Sequence, residues 1–339
     1  MLNRTACLAI LALFVHAATT LASGGTVNGI AADIIVTPDG DGDFKTVQAA
    51  IDSIATDNAS PKLVFIKPGT YHEKIRIEQP FVHLIGQDAK TTILTFDDYA
   101  KKLGPTSRPL GTFGSISVMV TGKGFQADNI TLENPSAPRK IVAQAVALGV
   151  NSDRAIFRNC RMLANQDTLY ANSGRQYYYN CLISGDVDFI FGNAAAVFDH
   201  CEIHSTGKGY LTAQSRTSDA QDTGYVLTDC KLTADSAVPD GSVYLGRPWR
   251  PYARVVYLHC DLGPQINPAG WLKWRPADTD MKAFYAEFAC AGPGAVNGQR
   301  VDWSRQLTPA EAHQFSKENF LKGDDGWAPW KDNPPTTRP

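Results

Sequence analysis

Phe157-Arg158-Asn159-Cys160-Arg161-Met162 returns as Tyr178-Tyr179-Asn180-Cys181-Leu182-Ile183, then as Phe198-Asp199-His200-Cys201-Glu202-Ile203 and Leu227-Thr228-Asp229-Cys230-Lys231-Leu232. Shorter copies stand at 258–262 and 288–290, and a copy without Cys at 125–132. The cysteines at 160, 181, 201, 230, 260 and 290 set a period of 20–21 residues that lengthens to 29–30. Periods of that size mark stacked supersecondary units. Each unit reads as a strand, because short runs rich in Val, Ile, Tyr and Phe are punctuated by Gly, Asp and Asn. Few stretches carry helical periodicity, and tight two-residue hairpin turns are mostly missing, so parallel coils fit better than a sandwich. The expected fold is all-β, a solenoid of parallel strands with successive coils about 4.8 Å apart. An amphipathic helix over 44–54 would cap its N-terminal end, with Val47, Ala50, Ile51 and Ile54 facing the core. A second helix over 309–320 opens with Thr308 as N-cap and Glu311 three residues on, and an extended tail follows.

Outward from the repeat, 339 residues with 43% hydrophobic content can bury a sizeable core. A formal net charge of −2, with no long basic run, argues against a nucleic-acid surface. Residues 1–23 read as a secretory signal: Arg4, an apolar stretch from Leu8 to Ala18, then small residues. That stretch is too short to span a bilayer comfortably. The expectation is therefore a secreted protein, extracellular or periplasmic, without a membrane anchor, with residues 24–339 as one domain acting as a monomer. Export leaves six cysteines, an even number compatible with disulfides. Cys160–Cys181 and Cys181–Cys201 compete for one thiol; Cys181–Cys201 is the favoured pair, and reduced buried thiols throughout are the alternative.

The coil period gives polar residues their meaning. Asp167 and Asp188 stand 21 residues apart, as do Cys160 and Cys181, and Gln144 and Gln166 differ by 22. Stacked on successive coils, two carboxylates and two amides would converge on one patch suited to attacking a carbonyl. A lone Asp in a solenoid is usually a turn or ladder residue; the joint occurrence at coil spacing favours chemistry.

The segments QAVAL (144–148), QDTLY (166–170), DFIFG (188–192) and LGRPW (245–249) resemble those of the pectin methylesterases, the pectinesterase family. GTYHEKI (69–75), AGW (269–271) and GPGA (292–295) agree as well. The resemblance implies a single-stranded right-handed parallel β-helix, no metal or other cofactor, and hydrolysis of methyl esters on a polygalacturonate chain. It also implies Asp188 as nucleophile, Asp167 as general acid and then base, Gln144 and Gln166 as oxyanion donors, and Arg247 fixing the Asp188 carboxylate. Thr112, Tyr170, Phe191, Trp249 and Trp271 fall where relatives contact sugar.

The residues support that division on their own chemistry. Neighbouring carboxylates resist both ionising, so one stays protonated, and Arg247 beside Asp188 would select the charged one. Neutral amides donate to an oxyanion without quenching the nucleophile. Seven His are scattered, and none adjoins a G-x-S-x-G elbow, so no serine triad is expected. Strand alternation sets Asp188 opposite both Phe189 and Phe191, so Phe191 reaches the cleft only if the strand bends at Gly192. Asp186 lies outside the family motif and points with Asp188; Asp186→Asn is expected to keep most turnover and Asp188→Asn to lose nearly all. Other readings are a glycosidase with paired acids, a lyase, a non-catalytic pectin-binding solenoid, and an esterase or thioesterase on another acyl substrate. The paired glutamines oppose the first, the lack of a convincing calcium-binding acidic cluster the second, and the dyad itself the third.

Overall fold

The computed structural model describes residues 25–27, 30–277, 281–296 and 298–333. The expected signal at 1–23 and the end of the tail lie outside them. Strands stack in two long sheets. One holds 11 strands in chain order, from Ile34–Val36 through Ala155–Arg158, Arg175–Tyr179 and Ala195–Asp199 to Arg305–Gln306. The other holds 13 strands. Pairing between coils is parallel throughout; of the named strands only Gly25–Val27 and Ile30–Ala32 pair antiparallel. The chain therefore winds as a parallel β-helix, as the repeat predicts.

Each Cys-containing unit proves to be a corner. The residue before the inward side chain is left-handed in every copy: Asn129, Asn159, Asn180, His200, Asp229, His259 and Ala289 have φ between 50° and 58°. Asn and Asp tolerate this conformation better than other L-residues, so they recur there. Their amides form a ladder, Asn180 Nδ2 donating to Asn159 Oδ1 at 2.7 Å and Asn159 Nδ2 to Asn129 Oδ1 at 3.2 Å. The next residue turns inward at the tightest part of the coil, where a small apolar side chain fits, and Cys fills that place.

The expected Cys181–Cys201 disulfide is not formed; all six described cysteines are free. Parallel in-register coils aim neighbouring Cβ atoms side by side at strand spacing, whereas a disulfide needs them about 3.8 Å apart with a roughly perpendicular twist. The thiols instead point to carbonyls, Cys181 to Tyr179 O at 3.4 Å and Cys201 to Tyr178 O at 3.4 Å. Unfolding without reductant is thus expected to expose six thiols to a thiol reagent, with the native protein nearly silent because five of them are buried; two missing thiols on unfolding would restore the disulfide.

The interior is a column of stacked side chains, including Phe157 on Tyr178 (ring centroids 5.0 Å) and Tyr178 on Phe198 (4.8 Å). Helix α1 (Val47–Asp52) is shorter than the predicted 44–54 but buries Val47, Ala50 and Ile51 as expected. Its N-terminus is closed by Thr46 and by Glu73, whose carboxylate accepts from Val47 N and Gln48 N at 2.9 Å each. Helices α2 (Gly111–Gly114) and α3 (Arg139–Val142) are single turns inside long loops on one side of the coil. The predicted C-terminal helix is broken into α4 (Pro309–His313) and α5 (Lys317–Phe320), and the Thr308–Glu311 capping box is present. Leu307, Phe315 and Leu321 pack with Tyr177, Val197 and Val226 on the outer face of the 11-stranded sheet, so the chain's end returns along the rod.

Candidate active site

Two unusually long strands, Leu182–Gly192 and Glu202–Gln214, bend around a corner and tie two faces of the coil into the 13-stranded sheet. The bend in the first falls at Asp188, whose φ is 51°, and Asp167 on the preceding coil has φ 64°. Non-glycine residues held in this region are strained and persist where surroundings over-determine them. Leu169 pairs with Ile190 and Tyr170 with Phe191, so the two chains run in register just beyond the aspartates. Asp167 N donates to Val187 O at 3.1 Å, and Ala145 N donates to Gln166 O at 3.1 Å. Gln144, then Gln166 and Asp167, then Asp188 thus occupy three consecutive coils on one face.

Arg247 enters from a later coil and grips Asp188 with two parallel bonds, Nε to Oδ1 at 2.9 Å and Nη2 to Oδ2 at 2.6 Å. This fork is among the stronger side-chain pairings. The guanidinium lies between two rings, 4.0 Å from the Tyr210 centroid and 4.2 Å from that of Trp274. Neither ring was foreseen, because both contacts join residues far apart in the chain and belong to no local pattern.

The two carboxyls sit in different fields. Burial pushes Asp167 well above the ordinary carboxylate range, and the Asp188 charge pushes the same way against Arg247 and the Gln166 amide. Burial raises Asp188 too, but the Arg247 fork opposes it directly. Of the two, Asp167 is pushed further towards its neutral form, while the Arg247 fork favours the ionised form of Asp188. The Gln144 side chain is half-buried and has no hydrogen-bond partner among the described residues, which leaves its amide free to donate to a ligand.

Around the dyad, rings form a row. Phe113 lies 5.0 Å from Tyr170, Tyr170 stacks on Phe191 at 4.8 Å, and Phe191 meets Trp249 at 6.1 Å. Phe191 does face the cleft, because the left-handed turn at Asp188, rather than a bend at Gly192, resets the alternation. It is buried beneath Tyr170 and Trp249, so it forms the floor and they form the surface. Thr112 stands on α2 beside Phe113, half-buried. Trp271 is a correction. It is fully buried between Tyr257 (5.6 Å) and Tyr285 (4.4 Å) in the interior column, since a bridge to Gly246 turns its side chain inward. The ring at the cleft is the half-buried Trp274, three residues on. Trp274→Ala is expected to raise KM for a bound sugar chain about 5–10-fold, whereas Trp271→Ala is expected to cost about 3–5 kcal/mol of stability. Chemical denaturation beside steady-state kinetics separates the two; a KM effect confined to Trp271 would reverse the placement.

Among the described residues, one group has metal-ligand spacing, Asp199, His200 and Asp229. It lies at the asparagine-ladder corner, and the Asp199 oxygens are already taken by Tyr177, His200 and Lys317. It has no part in the cleft.

A buried acid, a forked carboxylate, amide donors and a wall of rings are the equipment of an acyl-transfer site on a carbohydrate. Comparison with known proteins agrees. The family model described as Pectinesterase matches residues 33–324. Pectinesterase 31 of Arabidopsis thaliana is 41% identical over 301 residues, 87% of this chain and 93% of that protein. The pectin methylesterase from carrot superposes with a TM-score of 0.80 at 36% identity, over 86% of this chain and 93% of that one. A pectin methylesterase solved in complex with a hexasaccharide gives 0.77 at 28% identity, over 88% and 98%. With its motifs, coil and cleft all in agreement, the chain belongs to the pectinesterase family.

Proposed function

We propose that this enzyme removes the methyl esters of galacturonate units in pectin, releasing methanol and leaving free carboxylates. The observation that carries the reading is the Asp188–Arg247 fork beside a buried Asp167 on the adjacent coil, whose burial favours its neutral form. The Asp188 carboxylate attacks the C6 carbonyl carbon, and the Gln144 and Gln166 amides hold the developing oxyanion. Such donors are commonly worth about 3–4 kcal/mol in the transition state. As the tetrahedral centre collapses, Asp167 gives its proton to the departing methoxyl, so methanol leaves and an Asp188–galacturonyl anhydride remains. Asp167, now ionised, takes a proton from water, whose oxygen attacks the anhydride. The anhydride opens to galacturonic acid, which gives its proton to solvent, and to the Asp188 carboxylate restored beside Arg247, with Asp167 protonated again.

Tyr170, Trp249 and Trp274 offer ring faces to the apolar C–H faces of pyranose units. Among the described residues no helix is long and apolar enough to cross a membrane. The sequence of residues 1–23 has the features of a secretory signal, which supports an exported enzyme; we take it to work as a single-domain monomer. The test is methanol release from highly methylated pectin with the polymer's length followed in parallel. Methanol without chain shortening is expected; shortening without methanol would make the paired acids those of a glycosidase.

A further inference from the structure

The last long strand carries a charge where the coil interior is otherwise apolar. On Phe284–Phe288, Tyr285 joins the interior column and Ala286 packs on the outer face, so alternation turns Glu287 inward. Glu287 is buried there. Arg300 neutralises it with a fork, Nε donating to Oε1 at 2.7 Å and Nη2 to Oε2 at 3.0 Å. The two side chains are only 5% and 3% exposed. Buried ion pairs seldom stabilise a fold more than apolar residues of the same size would, so stability is a poor account of this one. Its geometry supplies a better account.

Glu287 fixes the plane of the guanidinium, and the remaining N–H groups clamp backbone. Nη1 donates to Asn267 O at 3.3 Å and Pro268 O at 3.0 Å, and Nη2 to Gly294 O at 2.8 Å, so all five donors are used. The turn thus held ends at Gly270, which is left-handed (φ 72°) and so close that a Cβ there would lie 2.6 Å from Arg300 Cδ. From this turn the chain runs along the strand Val243–Gly246: Leu245 N donates to Gly270 O at 2.7 Å and Leu272 N to Gly246 O at 3.2 Å. Arg247 is the residue after that strand. Trp274, two residues beyond Leu272, lies on its guanidinium. Arg300 therefore anchors the start of the segment that brings Trp274 to the cleft.

We propose that the Glu287–Arg300 pair is a positioning device for the cleft: by clamping the turn at 267–270 it fixes Trp274 over Arg247 and so sets how tightly a sugar chain is held. This rests on the reading of the cleft as a pectin site. Both residues are positioning residues, buried at the end of the coil and acting only through Trp274.

The experiment measures methanol release from highly methylated pectin, with a thermal melt of each protein. Wild type is compared with Glu287→Leu plus Arg300→Leu, with Trp274→Ala, and with all three substitutions together. Removing both charges at once strands neither, so the double variant is expected to fold and to keep kcat within about twofold. Its KM should rise about 3–5-fold, because the turn loses its clamp. In the Trp274→Ala background the same change should add no further rise, since the ring it positions is gone. Arg300→Lys keeps the charge but cannot fork and clamp at once; it should give an intermediate KM, and it carries the comparison if the double variant does not fold. A KM unmoved in the folded variants, or raised as much without Trp274 as with it, would leave the pair purely structural and overturn the proposal. Wild type releasing no methanol would instead sink the pectin reading, and this inference with it.

Discussion

Asp188→Asn is expected to lower kcat for methanol release by about 10⁴-fold or more while the protein stays folded. An amide is not a nucleophile at a carbonyl, so the anhydride cannot form and both chemical steps are lost together. The remaining groups would still bind pectin and polarise its ester, so binding should survive where turnover does not. Folding should survive for a separate reason. Burial raises the Asp188 pKa, so in its ionised form this carboxylate is held at a cost that Arg247 only partly offsets. Asn keeps one acceptor oxygen for the fork. Arg247 also retains its place between Tyr210 and Trp274, where cation–π attraction is worth about 0.5–2 kcal/mol. Steady-state kinetics, a pectin-binding assay and a thermal melt of the same preparation test the three parts. Turnover above about one hundredth of wild type in a folded variant would remove Asp188 from the nucleophile's role.

What could be read from the residues alone divides along a physical line. Asp167, Asp188, Gln144 and Gln166 were legible because a coil converts sequence intervals into spatial neighbours, and their intervals match the period of the repeat. The repeat itself was legible, but its cause was not: Asn159-Cys160 and Asn180-Cys181 mark left-handed corners, and the cysteines are filler rather than bridges. Trp271 and Trp274 could not be told apart, because they lie outside the regular strands where alternation assigns a face. Phe191 needed the backbone of Asp188, a left-handed residue that no local pattern announces. Tyr210 and Trp274 reach Arg247 from other coils or loops, and such contacts leave no trace in spacing. The β-helix is thus most readable along its own axis and least readable where loops fold over it.

Asp167→Asn carries the other large effect, and it separates catalysis from stability. Loss of the general acid should cost about 10²–10⁴-fold in kcat, since the methoxyl must leave unprotonated and water must attack unassisted. Wild-type kcat/KM should be bell-shaped, its acid limb set by ionisation of Asp188 and its alkaline limb by loss of the Asp167 proton, with both values belonging to the coupled pair. Stability should move the opposite way from activity. The folded pKa of Asp167 lies well above the unfolded one, so the native state holds a proton that the unfolded chain gives up. In that situation wild-type stability falls as pH rises from the ordinary aspartate range through the folded pKa. Asn cannot ionise and escapes the loss. The variant should therefore melt with wild type below the ordinary aspartate pKa, then above it by a margin that widens with pH and levels off past the folded pKa. At neutral pH the variant should melt measurably above wild type. Melting curves across pH for both proteins measure it. A variant less stable than wild type at every pH would mean that the Asp167 carboxylate is a structural ion whose charge the fold needs.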